Sequence, residues 1–282
     1  MHPWADGYIS SNGTRLHYYR TGGEKPQVVL NHGVGDDGLC WTHVVKELES
    51  DYDVIMTDAR GHGRSDIGKG DYSTPARTSD LAVLIEALKL DRPVVGGHSM
   101  GGDTTLHLAA EYPQLTRGIF LEDPPIILPG ETLGSGEQAM KMEDVGKMMA
   151  RFMQLYKLMP RFIGVRMAKK ANPSYPDDEI DPWIDSKKRL SFDLLKSMPS
   201  LKMDLSEPFE LLRKIDVPIL LFIGDKEKMS IVSVEAAQKA VLANSKVQVV
   251  HLEGASHDIR RTRFDGYLPA LKKFLAEIYH NE

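Results

Sequence analysis

The chain has 282 residues, enough to bury one large core together with a modest inserted subdomain. Hydrophobic residues make up 41% and charged residues 27%, a composition typical of globular domains that indicates neither disorder nor a fibrous repeat. The formal net charge of −5 leaves no excess of cations to neutralise a phosphate backbone or an anionic membrane surface, so nucleic acid is not an expected partner.

The first predicted elements are strands. Asn12-Gly13 separates two stretches of alternating β-formers between Tyr8 and Tyr19, which predicts an antiparallel hairpin. Six short apolar runs bounded by turns follow and have the composition of buried parallel strands. These runs are residues 28–30, 53–56, 93–95, 118–121, 218–223 and 247–252.

Helical periodicities lie between several of these runs. The clearest covers residues 79–90, where apolar residues recur on one helical face. Strands and helices that alternate this regularly predict an α/β fold, with a mostly parallel, doubly wound sheet of about eight strands. The other predicted helices are residues 42–48, 100–111, 234–242 and 267–279.

The alternation stops between residues 126 and 208, where helical units at about 137–159 and 185–198 replace it. We expect residues 126–208 to form a helical cap inserted into a core of residues 1–125 and 209–282. Nine of the 13 methionines lie in this segment. Methionine adapts to varied apolar shapes, so Met149 and Met153, which share a helical face, are candidates for a substrate pocket. Alternatively, these methionines fill the core of the helical subdomain.

The sharpest chemical signal is Gly97-His98-Ser99-Met100-Gly101, which has the form Gly-x-Ser-x-Gly. It follows a predicted strand and opens a predicted helix, so Ser99 would lie on a tight corner where glycines avoid backbone collisions. The N-terminus of the helix offers unpaired N–H groups to a developing oxyanion. This context predicts Ser99 as a nucleophile.

With this motif the sequence resembles the α/β-hydrolase family over essentially its whole length. Three further segments carry the likeness, each after a predicted strand: residues 31–35 (Asn-His-Gly-Val-Gly), 58–66 (Asp-Ala-Arg-Gly-His-Gly-Arg-Ser-Asp) and 254–258 (Gly-Ala-Ser-His-Asp). The resemblance implies a serine hydrolase with a catalytic triad. It also implies an oxyanion hole formed by the N–H groups of Val34 and Met100.

Ten histidines could supply the base, and chain order with strand context separates them. His257 follows the last predicted strand on a Gly-Ala-Ser loop, where the family places its histidine. His98 adjoins Ser99, but adjacent residues on such a corner point apart. No two histidines have the spacing of a metal site, and Cys40 is the only cysteine, so neither a metal nor another cofactor is expected.

The acid of the triad is left open between three carboxylates. Aligning residues 218–227 on the family's Gly-x-x-Asp loop places Glu227 at the acid position, which we favour because that loop should neighbour the strand that delivers His257. Asp123 follows the strand at 118–121, where haloalkane dehalogenases and some lactone hydrolases of this fold keep their acid. Asp225 falls two residues before the aligned position.

The resemblance implies hydrolysis of a small apolar carboxylic ester or lactone through an acyl-enzyme on Ser99. A serine at this corner argues against the alkyl-enzyme chemistry of dehalogenases. Other triad activities, such as carbon–carbon hydrolysis or a cofactor-free haloperoxidase reaction, stay open because fold resemblance does not separate them. A further alternative is a receptor-like protein that binds a ligand in the same pocket with slow or no turnover.

The sequence also bears on location. The N-terminus lacks the basic start and apolar stretch of a signal peptide, and no apolar run approaches the roughly 20 residues that cross a bilayer. A lone cysteine fits a reducing compartment. We therefore expect a cytoplasmic protein without membrane insertion. Neither the oligomeric state nor the identity of the substrate is encoded in a pattern of this kind.

Overall fold

The computed structural model describes residues 4–135, 139–140, 142–200 and 208–280. Eight strands in these residues form one sheet: β1 Ala5–Ser11, β2 Thr14–Arg20, β3 Gln27–Asn31, β4 Asp53–Thr57, β5 Val94–His98, β6 Gly118–Glu122, β7 Ile219–Ile223 and β8 Val247–His251. Their spatial order is β1-β2-β4-β3-β5-β6-β7-β8. The β1–β2 and β2–β4 pairs are antiparallel, and every other neighbouring pair is parallel. The predicted α/β class and mostly parallel sheet are confirmed.

Helices connect the strands and cover both faces of the sheet. Within the described residues they are α1 Thr42–Leu48, α2 Thr74–Ala87, α3 Met100–Glu111, α4 Met142–Leu158, α5 Arg161–Ala171, α6 Asp177–Arg189, α7 Phe192–Ser197, α8 Pro208–Lys214, α9 Val234–Ala243, α10 Ile259–Thr262 and α11 Phe264–His280. One face of the sheet packs against α2, α3, α8 and α9. The other face packs against α1 and α11. The central strands are buried on both faces, which explains their continuous apolar sequences.

The carboxyl ends of β3, β5, β6 and β7 lie side by side at one edge of the sheet, because these strands are parallel neighbours. The loops that follow them therefore meet above this edge. Each of the sequence segments singled out for chemistry belongs to such a loop or to the loop after β4 or β8. The fold thus brings together residues that are up to 226 positions apart, from Asn31 to His257.

Four helices, α4 to α7, are inserted between β6 and β7 and are called the cap helices below. They share an apolar cluster with Cys40 of the core, and in it Trp183 packs against the rings of Tyr156 and Tyr175. We propose residues 126–208 as the cap subdomain and residues 1–125 and 209–282 as the core, because all eight strands lie in the latter ranges.

The cap is where the predicted helices differ most from the structure. The predicted helix at 137–159 corresponds to α4, although residues 137, 138 and 141 lie outside the described part of the chain. The predicted helix at 185–198 is divided, because α6 ends at Arg189 and the hydroxyl of Ser191 caps the new helix α7 by accepting from the N–H of Leu194. The sequence analysis missed α5, which begins directly after Pro160.

The charges of α6 explain why this helix begins at Asp177, eight residues before the predicted start at residue 185. Its first turn carries Asp177, Asp178 and Glu179, and its last turn carries Lys187, Lys188 and Arg189, which complement the helix dipole at both ends. No helix among the described residues has the length and apolar character that a bilayer span requires.

Candidate active site

Ser99 lies on a strained corner between β5 and α3. Its backbone has φ 51° and ψ −114°, a region that residues with a side chain rarely occupy. A Cβ atom at Gly97 would lie 2.1 Å from the carbonyl oxygen of Gly101, so only glycine allows this corner to close. The corner therefore has the sequence-predicted geometry, with Ser99 at the carboxyl edge of the sheet.

The loop after β3 packs directly against this corner. A Cβ at Gly101 would lie 2.2 Å from the carbonyl oxygen of Asn31, and a Cβ at Gly33 would lie 3.4 Å from the Cβ of Ser99. Val34 follows Gly33 in this loop, and Met100 supplies the first N–H group of α3, which has no partner within the helix. The two backbone segments proposed for an oxyanion hole thus lie beside Ser99.

His257 and Asp123 are joined by a hydrogen bond. His257 Nδ1 lies 2.7 Å from Asp123 Oδ2. The carboxylate of Asp123 is fully buried and also accepts hydrogen bonds from the hydroxyl of Ser230 at 2.8 Å and from the N–H groups of Ile231 at 2.7 Å and Val232 at 2.9 Å. These donors fix the carboxylate in place, which in turn orients the imidazole ring.

Glu227 does not reach His257, contrary to the geometric expectation drawn from the loop alignment. Its side chain is exposed on the short turn Lys226–Lys228, and it forms no hydrogen bond or ion pair with any residue that the structure describes. Asp225 instead contacts His251 Nε2 at 2.9 Å and accepts from the N–H of Gly254 at 2.7 Å. It therefore stabilises the turn after β8.

The path of the histidine loop explains this outcome. A Cβ at Gly224, which follows β7, would lie 2.7 Å from the carbonyl oxygen of Ala255. The loop after β8 therefore crosses the end of β7 and extends toward β6. There it meets Asp123, whose backbone has φ 44° and directly follows β6. The loop alignment predicts which strand neighbours β8, but it does not predict where the loop after β8 ends.

The surroundings of His257 favour protonation of its ring. Burial alone lowers the pKa of His257, but its hydrogen bond to Asp123 and the negative charge of that carboxylate outweigh burial and raise the pKa above the ordinary 6.5. His98 has the opposite environment, because burial and the nearby His257 hold its pKa well below 6.5. The neutral ring of His98 carries its one proton on Nε2, which donates to the carbonyl oxygen of His257, 3.1 Å away.

Two further histidines support the surrounding loops. The N–H of Ala59 donates to His32 Nε2 at 3.0 Å, so Nδ1 carries the proton of His32 and donates to the carbonyl oxygen of Gly33 at 2.8 Å. His62 Nδ1 lies 3.0 Å from the carbonyl oxygen of Arg60, and burial lowers the pKa of His62 to about 3. Both rings are buried and neutral, as expected of residues that hold a loop.

The cap methionines lie over the loop that carries Val34. A Cβ at Gly35 would lie 2.3 Å from Met153 Cε, and Met153 is only 3% exposed. Met149 belongs to the same apolar cluster as Val34 and also packs against a second cluster that includes Ile231. The two methionines therefore form an apolar wall above the proposed oxyanion loop, and the same contacts make them part of the packing between cap and core.

A buried ionic network, which the sequence analysis missed, ties the cap to two of these loops. Arg261 contacts Asp36 at 2.8 Å, Glu179 at 2.7 Å and Asp258 at 2.5 Å. Asp36 also accepts from Lys187 Nζ at 2.6 Å. Arg261 is fully buried, and its charge and that of Lys187 outweigh burial to hold the pKa of Asp36 well below its ordinary value. The available signal was a pair of arginines three and four residues after the candidate base.

This network also explains a cluster of potential metal ligands. Asp36, His98 and Asp258 each place one ligand atom within 4.8 Å of the others. However, both carboxylates are already paired with Arg261, and Asp258 also accepts from the hydroxyl of Tyr175 at 2.6 Å. This donor set is suited to holding protein cations in place.

A family model described as "alpha/beta hydrolase fold" matches residues 26–259. N-formylmaleamate deformylase of Pseudomonas putida is 35% identical over 127 residues, covering 45% of this chain and 47% of that protein. 2-(Acetamidomethylene)succinate hydrolase of Mesorhizobium japonicum is 24% identical over 261 residues, covering 91% and 90%.

The matched share differs among relatives. The chain spans only 38% of the length of an uncharacterised Mycobacterium tuberculosis protein to which it is 32% identical. Among solved structures, an enol-lactonase from Burkholderia xenovorans superposes with a TM-score of 0.73 at 23% identity, covering 96% of this chain and all of that one. This likeness concerns the fold.

The buried network yields a stability prediction. Arg261→Met leaves three carboxylates near one another without their shared cation, so we expect it to lower the free energy of unfolding by about 3–5 kcal/mol. Arg161→Met removes an exposed pair with Asp185 and should cost at most about 1 kcal/mol. Denaturant unfolding of both variants measures the difference. Equal losses would mean that the buried pairs do not hold the cap to the core.

Proposed function

The chain belongs to the α/β-hydrolase family, and we propose that it is a serine hydrolase that cleaves carboxylic esters or lactones through an acyl-enzyme on Ser99. The observation that carries this proposal is the hydrogen bond between His257 and the buried Asp123, at the same sheet edge as the strained Ser99 corner. A neutral ligand-binding pocket has no need for an imidazole aligned by a fixed carboxylate.

In the proposed mechanism His257 acts as general base through Nε2, because Nδ1 is engaged by Asp123. It removes the proton of Ser99 as the hydroxyl oxygen attacks the carbonyl carbon of the substrate. Asp123 stabilises the imidazolium that results. His257 then protonates the leaving alcohol, and the same residue activates the water that hydrolyses the acyl-enzyme.

The N–H groups of Val34 and Met100 are the proposed donors to the tetrahedral oxyanion. Several contacts support them. The Gly33–Gly35 loop packs on the Ser99 corner of the core, and Met153 of the cap packs on Gly35. Ser186 of α6 also donates to the carbonyl oxygen of Gly35 at 3.0 Å. A loop held from both sides offers preorganised N–H groups.

The apolar wall supports an uncharged acyl group as the preferred substrate. Val34, Met149 and Met153 pack together in one apolar cluster above the loop. The cap cations that contact this loop are already neutralised, since Lys187 pairs with Asp36 and Arg189 with Asp37. A substrate carboxylate would have to displace one of these partners.

A second candidate is hydrolysis of an N-acyl bond in a carboxylate-bearing molecule. The names of the Pseudomonas and Mesorhizobium relatives favour it, since they describe a deformylase of N-formylmaleamate and a hydrolase of 2-(acetamidomethylene)succinate. The two candidates differ in substrate charge and in the leaving group. Comparing turnover of neutral nitrophenyl esters with that of N-acylated dicarboxylates separates them directly.

The first prediction concerns the nucleophile and the base. Ser99→Ala and His257→Ala should each lower kcat by about 10⁴-fold or more, and the double variant should resemble either single one because the two residues act as a unit. Ester hydrolysis and labelling by a fluorophosphonate measure this. Wild-type labelling without turnover would favour a receptor-like protein, and a Ser99→Ala variant with near wild-type turnover would exclude Ser99 as nucleophile.

The second prediction compares the two carboxylates weighed from the sequence. Asp123→Asn should lower kcat by about 10⁴-fold, whereas Glu227→Gln should stay close to wild type. Because Asp123 raises the pKa of His257, the wild-type acid limb of kcat/KM should lie above pH 6.5 and move to lower pH in Asp123→Asn. A purely structural Asp123 would lower the amount of active protein and leave the position of this limb unchanged.

The third prediction concerns the apolar wall. Met153→Ala should change the preference among acyl esters of different chain length, because it removes the side chain that lies on Gly35. Met148→Ala is the matched control on the same helix, since Met148 is 38% exposed. Relative kcat/KM across an ester series measures the change. If Met153→Ala slows every ester by one common factor, this methionine only packs the cap against the core.

A further inference from the structure

Two cap helices expose an unusual amount of apolar surface. Seven large apolar side chains of α4 and α5 are more than a third exposed, and they are called the cap patch: Met148, Phe152, Leu155, Leu158, Phe162, Ile163 and Met167. The most exposed are Leu158 at 64% and Phe162 at 74%, on either side of the turn between the helices. Scattered exposed apolar residues are ordinary, but seven within 20 positions form a patch that needs a partner.

The same two helices are strongly basic. Residues 142–171 contain seven Lys and Arg residues and two acidic ones, a net charge of +5 in a chain whose net charge is −5. Arg151, Arg166 and Lys170 are exposed and form no ion pair with any residue that the structure describes. The cap patch is therefore surrounded by cations that remain available to an anionic partner.

Opening of the cap does not account for this exposure. The opposite face of α4 is occupied, since Met153 lies on Gly35 and Tyr156 packs against Trp183. The neighbouring α6 is held to the core by the buried contacts of Glu179 and Lys187. The cap patch is thus an outer surface of a cap that is held in place on the core.

We propose that the cap patch docks on the surface of a bilayer that contains anionic lipids. Helices with apolar Phe, Leu and Met side chains and flanking Lys and Arg lie in the plane of the membrane interface, with the apolar groups at the boundary between headgroups and acyl chains. The unpaired cations then face lipid phosphates. A twofold dimer through this patch would instead bring two basic surfaces together.

Docking in this orientation places α4 between the lipid surface and the loop of Val34. The apolar wall formed by Met149 and Met153 is the inner side of the helix whose outer side contacts lipid. An apolar ester dissolved in the bilayer would therefore meet the protein close to the candidate active site. The docking itself does not rest on the proposed hydrolase activity.

The test is flotation of the full chain carrying Ser99→Ala with vesicles of phosphatidylcholine, with and without phosphatidylglycerol. We expect binding to the anionic vesicles only, weakened by added salt because the attraction is screened. The combined variant Leu158→Asp and Phe162→Asp should bind at least about tenfold more weakly. Arg166→Gln and Lys170→Gln should each weaken binding about fivefold, the effect of one cation near an anionic surface.

Leu242→Asp is the matched control, because Leu242 lies on α9, outside the cap, and is 88% exposed. This variant should bind vesicles as the parent does. All substituted residues are exposed, so melting temperatures should stay within a few degrees of the parent. Absence of vesicle binding, or equal loss in Leu242→Asp, would overturn the proposal. The proposal would also be wrong if vesicles do not bind and the cap patch instead forms a dimer, or a complex with an acidic protein, that the combined Leu158→Asp and Phe162→Asp variant disrupts. Failure of the hydrolase proposal is detected separately, because the unsubstituted chain would then hydrolyse no ester.

Discussion

One buried cation, Arg261, connects the parts of this molecule that must be held in register. Its guanidinium group contacts Asp36 beside the loop of Val34, Asp258 beside His257, and Glu179 on α6. Removing four charged groups from water costs free energy, which their mutual attraction offsets only in a well-defined geometry. The network therefore favours one position of the cap relative to the core, and the apolar wall, the histidine loop and the exposed cap patch all depend on that position.

Much of the fold could be predicted from the sequence, because its signals are local. Each parallel strand is a short apolar run between turns, and the glycines around Ser99 record a close approach of backbone atoms within five residues. The helix α2 shows the limit of this approach. Its predicted start at residue 79 was late by five residues, since the apolar periodicity begins after the first turn, which contains Pro75.

The carboxylate beside His257 could not be chosen in the same way. Glu227 and Asp123 each follow a buried strand, and the difference between them is the direction in which the loop after β8 crosses β7. That direction depends on contacts between residues far apart in the chain, such as Gly224 with Ala255. Likewise, the partners of Arg261 lie 3, 82 and 225 positions away, so no pattern within one segment predicts the network.

The position of the cap insertion between two neighbouring strands affects how the cap and the core can change in evolution. Both ends of the insertion leave the sheet at β6 and β7, which are neighbours, so insertions of different length are able to share one unchanged core. Here, however, Glu179 and Lys187 of the insertion complete the charges of Asp36 and Arg261 in the core. A cap without these two charges would leave Asp36 and Arg261 paired with each other in the buried network, but without Lys187 and Glu179 to complete their contacts. Cap and core must therefore be inherited together, as one cooperative unit, unless both sides of the network change at once.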